Sequence, residues 1–271
     1  MCDALGIYRS SYYYSVNRKP TRRDIENLAL TDIIKKIFIE YKGRYGSKRI
    51  LRELRSRGVF VNHKRIERIM KENRLKAKYS CKKHGRYSKA YKASIHPNHL
   101  DREFDVSERN KVWAGDITYI PTKEGYEYLM VYLDLCTRKV VGWSINRHMR
   151  EQLAIDALSD AYNRENPDIG LMIHTDRGAQ FMSSRYSALI KRIGAYMSMS
   201  RGGNPYDNAV VESFNKSLKT ELVDKKHPFE TRELARKAIF EYIEMFYNPK
   251  RLHSALGYKS PIEFEKLRFN S

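Results

Sequence analysis

From residue 111 onward the sequence changes rhythm, and the new rhythm admits few folds. Three β-branched and aromatic runs, over roughly 111–120, 126–135 and 139–145, are separated by short turns around Gly125 and Cys136-Thr-Arg138. This is the pattern of an antiparallel meander. An amphipathic helix follows, with Leu153, Ala154, Ala157, Leu158 and Ala161 on one side and Pro167 beyond its end. A strand over 171–175, a helix over 183–193, a short strand over 196–199, a loop over 201–205 and a further helix complete the series. Three antiparallel strands, then helix–strand–helix–strand–helix, predict an α/β fold with a mixed sheet flanked by helices. The strand order is that of a ribonuclease H-like core.

Three carboxylates sit in settings that would let distant segments converge. Asp116 lies inside the first strand pattern, Asp176 ends the apolar run Leu171-Met-Ile-His-Thr-Asp176, and Glu212 falls within a helical pattern. In that helix Val211, Phe214, Leu218 and Leu222 form an apolar stripe, with Asn208, Glu212, Asn215, Lys216 and Lys219 on a neighbouring polar one. Glu212 thus borders the buried seam, and Lys219, two turns on, would meet phosphate on the same face. Taken alone, Glu212 is as well read as an i,i+4 surface pair with Lys216, worth only ~0.3–0.5 kcal/mol. Together the three suit a divalent-metal site. Mg²⁺, or Mn²⁺ in its stead, takes oxygen ligands, and two such ions can stabilise both the attacking and the leaving oxygen of a phosphoryl displacement. His174, two residues before Asp176, reads either as a contact to that site or as a buried hydrogen-bonded residue.

The charge is uneven. Residues 1–100 hold 26 Lys and Arg against 8 Asp and Glu, a balance of +18 out of the chain's +20. Such a footprint points to nucleic acid, because each neutralised phosphate releases counterions. Residues 1–76 read as a helical, helix-turn-helix DNA-binding region. Ile33, Ile34, Ile37, Phe38 and Tyr41 recur at helical spacing, Ser47 is placed to cap a second helix, and Asn62 opens a third. The third helix would present His63, Lys64, Arg65 and Arg68 to duplex DNA. Residues 77–110, with Lys78, Lys82, Lys83, Arg86, Lys89 and Lys92, read as a basic extended linker, and 111–271 as the catalytic core with a C-terminal helical extension.

No apolar stretch approaches the ~20 residues needed to span a bilayer, and no secretory leader precedes the first helix. The cysteines, Cys2, Cys81 and Cys136, are odd in number and far apart, which argues for a reducing, cytoplasmic compartment. Cys81-x-x-His84 followed by His96-x-x-His99 mimics zinc-ligand spacing, but lacks a compact turn pattern and runs into Pro97, so no zinc is expected.

With these segments laid out, the chain closely resembles the OrfB-type DDE transposases of the IS-three family of bacterial insertion sequences, within the retroviral-integrase superfamily. The phrases that carry the resemblance are Trp113-Ala-Gly-Asp-Ile-Thr-Tyr119, His174-Thr-Asp-Arg-Gly-Ala-Gln-Phe181, Asn204-Pro-Tyr-Asp-Asn-Ala-Val-Val-Glu-Ser-Phe214 with Leu218-Lys219, and Tyr247-Asn-Pro-Lys-Arg-Leu-His-Ser-Ala-Leu256. Upstream, Leu5-Gly-Ile-Tyr-Arg-Ser10 and Tyr45-Gly-Ser-Lys-Arg-Ile50 match as well. The resemblance implies that Asp116, Asp176 and Glu212 are the DDE triad and that Lys219 touches element-end DNA, with Asn208 and Lys216 beside it. It implies strand cleavage that frees a 3′-hydroxyl, attack of that hydroxyl on a second phosphodiester, and a homo-oligomer on DNA. An upstream-frame (OrfA) product or fusion is the implied partner. Tyr247, Asn248, Arg251 and His253 would either position DNA or pack against the catalytic helix.

Two other readings use the same residues. A ribonuclease H-like nuclease or resolvase would hydrolyse with water and stop, leaving the basic N-terminal third without a task. An inactive DNA-binding regulator would tolerate a substituted triad, and none of the three positions is substituted. Fold analogy alone does not separate them.

Overall fold

A computed structural model describes residues 2, 6–17, 19–78, 96–201, 205–223 and 228–269. The chain divides into two compact units, 1–78 and 79–271.

In the first unit, helices α1 (Arg9–Val16), α2 (Arg22–Glu40), α3 (Ser47–Ser56) and α4 (His63–Glu72) follow one another. A capping box opens α2, with the Thr21 hydroxyl accepting from the Asp24 amide and the Asp24 carboxylate accepting from the Thr21 amide. Leu30, Ile34 and Ile37 of α2 pack with Ile50 and Leu54 of α3 and Ile66, Ile69 and Met70 of α4 as the buried apolar residues of the unit. Asn62 caps α4 through the Lys64 amide. Ser47 does not cap α3: extended Gly46 holds that position, and the Ser47 hydroxyl lies 3.0 Å from His63 Nε2 instead.

The second unit is built on a five-stranded sheet in the order β3-β2-β1-β4-β5. Its strands are β1 (Val112–Thr122), β2 (Gly125–Asp134), β3 (Val140–Asn146), β4 (Met172–Thr175) and β5 (Tyr196–Met199). The first three are antiparallel, while β4 and β5 run parallel to β1. This is the ribonuclease H-like mixed sheet. Helix α5 (Glu151–Glu165) lays the predicted Leu153, Ala154, Ala157, Leu158 and Ala161 on Trp113, Met130, Tyr132 and Val141. The approach is close enough to need a glycine: a Cβ on Gly142 would come within 2.4 Å of the Ala161 backbone nitrogen. Helices α6 (Ser184–Arg192), α7 (Ala209–Glu221) and α8 (Arg232–Phe240) follow, and α8 widens into a π-helical stretch, Glu241–Tyr247. Helix α9 (Pro261–Phe269) lies in the expected C-terminal helical extension.

One detail of register prepares the site. β1 pairs with β4 only through residues 112–114, so β1 runs on past its parallel neighbour. Both strands end on the same side of the sheet, and between them the connection changes direction. Open α/β sheets characteristically bind ligands at such a switch point.

Part of the expected linker belongs to this unit. Leu100 is buried, and the His99 and Leu100 amides donate to the Ser198 hydroxyl on β5. Lys82, Lys83, Arg86, Lys89, Lys92, Cys81 and His84 lie outside the described residues, as does the Gly202-Gly203 loop.

Candidate active site

Asp116 stands two residues beyond the last β1 residue paired with β4. Its Oδ1 accepts from the Ile117 amide at 2.9 Å, and its Oδ2 from Asn215 Nδ2 at 2.7 Å. Asp176 is the first residue after β4, and its Oδ1 accepts from the Gly178 amide at 2.9 Å. Glu212 occupies the first turn of α7, where the helix dipole favours negative charge, and faces solvent.

Asp116 feels the other two carboxylates. Burial, then the charge of Asp176, push the Asp116 carboxyl up to about 7; hydrogen bonds from Ile117 and Asn215 oppose the rise, and the charge of Glu212 adds to it. Burial also raises Asp176, against the Gly178 hydrogen bond, and the partial loss of water around the otherwise exposed Glu212 raises that carboxyl. A site that gathers like charges until one of them holds a proton near neutrality is one that a cation would relieve. The donor set is all oxygen, as a hard divalent ion requires. Among the described residues, however, no three Asp, Glu, His or Cys side chains close into a coordination shell.

The raised carboxyl has a consequence for stability. Asp116 is neutral below pH ~4 in folded and unfolded chains alike, so its burial then costs no charge. The penalty grows as pH rises from 3.8 to about 7 and is complete above that. Asp116→Asn removes it, and the Asn215 amide can turn to present its oxygen to the new NH₂ group. In chelator, the variant should therefore gain on the order of 1–2 kcal/mol at pH 8 and almost nothing at pH 4, allowing for solvent screening. Urea unfolding at the two pH values measures this, and an equal difference at both would remove the carboxylate's charge as the cause.

His174 lies elsewhere. It is fully buried, with Nδ1 at 2.9 Å from the Ser198 hydroxyl and Nε2 at 3.1 Å from that of Ser200. Ser198 already accepts two backbone amides, which leaves its proton for Nδ1 and puts the ring hydrogen on Nε2. Burial lowers the imidazole to about 4, so it is neutral at physiological pH and structural.

Asn208, expected at DNA, is buried, and its Nδ2 donates to the Gly115 carbonyl at 3.0 Å. Asp207, which the sequence reading passed over, is fully buried. It accepts from the Arg201 amide and Nε, from Arg102 Nε and from Asn98 Nδ2. Burial would raise this carboxyl, but its arginine partners hold it well below the usual range. It ties residues 98–102 and Arg201 to the entrance of α7.

Comparison with known proteins agrees with this architecture. Residues 106–205 and 194–261 match two "Integrase core domain" families, and 24–83 match the "HTH-like domain" family. The chain is 47% identical over 251 residues to the transposase for insertion sequence element IS904 of Lactococcus lactis, spanning 93% of this chain and 99% of that one. The chain belongs to the IS-three family of insertion-sequence transposases. The InsF transposase for IS3A of Escherichia coli K12 is 40% identical over 268 residues, 98% of this chain and 92% of that one. Among solved structures, the catalytic core domain of BIV integrase matches 59% of this chain and 98% of its own, with 21% identity and a TM-score of 0.45. The protein is thus a DDE-type transposase, a polynucleotidyl transferase of a bacterial insertion sequence.

In this transposase Lys219 sits with Nζ 4.1 Å from the centre of the exposed Tyr119 ring, which keeps the ammonium beside the end of β1. Lys216 is exposed on the same helix. The C-terminal residues pack on α7. Tyr247 stands edge-on to Phe214, Arg251 pairs with Glu221 at 2.7 Å and donates to Ser217, and His253 lies against Tyr247. Asn248 hydrogen-bonds both backbone groups of Val140 on β3. In the first unit Lys64 and Arg68 face solvent. Arg65 is turned inward, its Nε donating to Asn27 at 2.8 Å and a terminal nitrogen 3.5 Å from Glu26, so it joins α4 to α2. No helix among the described residues is long and apolar enough to cross a membrane.

Proposed function

We propose that Asp116, Asp176 and Glu212 hold the divalent cations with which this transposase cuts one strand at the ends of its element and joins the freed 3′-hydroxyl to target DNA. The observation that carries this reading is a buried carboxylate within β1, Asp116, which burial and then the charges of Asp176, just after β4, and of Glu212 on α7 push up to about 7. Mg²⁺, or Mn²⁺ in its place, supplies when bound the positive charge that activates an attacking oxygen and steadies a leaving one. The chain's own residues do the rest. β1 and β4 fix the two aspartates on rigid backbone, and α7 brings Glu212 to them. Lys219, steadied by Tyr119, meets a phosphate of the element end. Lys64 and Arg68 on α4 serve duplex binding by the N-terminal region. We take the active form to be a homo-oligomer on double-stranded DNA in the cytoplasm, at the nucleoid, working with the product of an upstream frame or fused to it.

The test is a strand-transfer reaction. Protein, with its upstream-frame partner, is incubated with labelled element-end DNA and Mg²⁺, and joined products are resolved. Joining should occur and vanish in Glu212→Gln. Lys219→Ala should lower joining by ~10-fold or more while cation-dependent nicking persists, because holding a 3′-hydroxyl in line demands positioning beyond the metal site. Nicking with no joining, from the fusion on correct ends, would reduce the protein to a nuclease.

A further inference from the structure

One polar face of α7 is written along β1. Residues 208, 212, 215 and 219 recur at spacings of four, three and four, so they share a side of the helix. Asn208 takes the Gly115 carbonyl, Asn215 the Asp116 carboxylate, and Lys219 the Tyr119 ring. Glu212 lies between the two asparagines. Gly115 and Asp116 are the first residues of β1 beyond its pairing with β4, so α7 covers the strand where its parallel neighbour has left it.

The asparagines are unusual in what they leave undone. Both are at least nine-tenths buried, and both aim the amide NH₂ at an acceptor on β1. That choice fixes each amide's orientation, because only nitrogen can donate. It leaves Asn208 Oδ1 and Asn215 Oδ1 buried with no hydrogen-bond partner. Buried acceptors are usually satisfied, and stability alone would favour apolar side chains here. The arrangement makes sense if the donors serve the site.

We propose that Asn215 is a positioning residue: its amide locks the Asp116 carboxylate in the rotamer that receives the cation, while Asn208 pins the adjacent backbone and so sets Glu212 against it. This rests on the metal-site reading above. A free Asp116 carboxylate can swing about its side-chain bonds, whereas one held at Oδ1 by Ile117 and at Oδ2 by Asn215 presents a fixed edge. Partners of this kind typically change metal affinity or activity by ~10–100-fold when removed.

The experiment measures Mn²⁺ binding to the full chain by the paramagnetic resonance signal of free Mn²⁺, alongside cleavage of element-end DNA. Asn215→Leu preserves the side-chain volume and Asn215→Ala does not, and neither can donate. Both should raise the half-saturating Mn²⁺ concentration ~10–100-fold, with melting temperatures close to the parent protein and cleavage returning to within a few-fold at saturating Mn²⁺. If Asn215→Leu binds Mn²⁺ like the parent and only Asn215→Ala is impaired, the residue fills space and the proposal falls. If both variants fail to fold, the amide serves the fold and the proposal falls equally. Asp116→Asn separates the two levels. Parent-like Mn²⁺ binding there overturns the metal-site reading itself, whereas its loss beside normal binding by Asn215→Leu overturns the positioning role alone.

Discussion

Asp116→Asn, Asp176→Asn and Glu212→Gln are each expected to abolish cation-dependent cleavage of element-end DNA, a loss of ~10³-fold or more, with the fold intact. All three replacements keep the side chain's shape and remove its charge. Asp116 lies within β1 and Asp176 just after β4, each accepting from a backbone amide, an interaction an asparagine oxygen can retain. Glu212 is exposed, so its replacement disturbs no packing. What disappears is negative charge, either that of Asp116 or that of the two carboxylates acting on it. Double variants should be no worse than the worst single one, because removing one ligand already disables the unit. Single-turnover cleavage on labelled ends, with circular dichroism as the control for folding, measures this. A variant that cuts at near-parent rate removes its residue from the site.

The parts legible in the sequence were those set by local periodicity. The alternation of β1 to β3 and the apolar stripe of α5 depend on neighbours a few residues away, and the helix carrying Glu212 could be phased from Val211, Phe214 and Leu218. Periodicity gives a face but not a depth. Asn208 was therefore grouped with solvent-facing Lys216, although its partner, the Gly115 carbonyl, makes it a buried residue. Arg65 was grouped with Lys64 for the same reason, since its partner Asn27 lies 38 residues away in sequence. Strand alternation, carried on from 174 to 176, would put His174 and Asp176 on one face. β4 ends at Thr175, so the rule stops one residue short, and His174 faces β5 while Asp176 turns to the site. Within the expected C-terminal helical extension α9 was given no bounds, because a nine-residue helix beginning at Pro261 has too few turns to establish a period.

Arg251→Ala is expected to destabilise the second unit by ~3–5 kcal/mol. Arg251 and Glu221 are both about 5% exposed, joined at 2.7 Å, and Glu221 also accepts from the Tyr242 hydroxyl at 3.0 Å. Without the guanidinium, Glu221 remains a buried carboxylate that still accepts from the neutral Tyr242 hydroxyl. It is also the last residue of α7, where the helix dipole disfavours negative charge. Thermal unfolding should fall by roughly 6–20 °C, given about 2–4 °C per kcal/mol for a unit of this size. Arg251→Met combined with Glu221→Leu should recover most of the loss, because a buried ion pair pays heavy desolvation and an apolar pair of similar volume does not. Activity supplies the second readout. Phe214, Ser217 and Glu221 are the α7 residues that the C-terminal segment grips, and the same helix carries Glu212. The single variant should therefore lose cleavage on warming well before the parent does, and the double variant should regain it. A single variant that costs less than ~1 kcal/mol would mean that water reaches the pair, and the C-terminal segment would then not be what holds the catalytic helix in place.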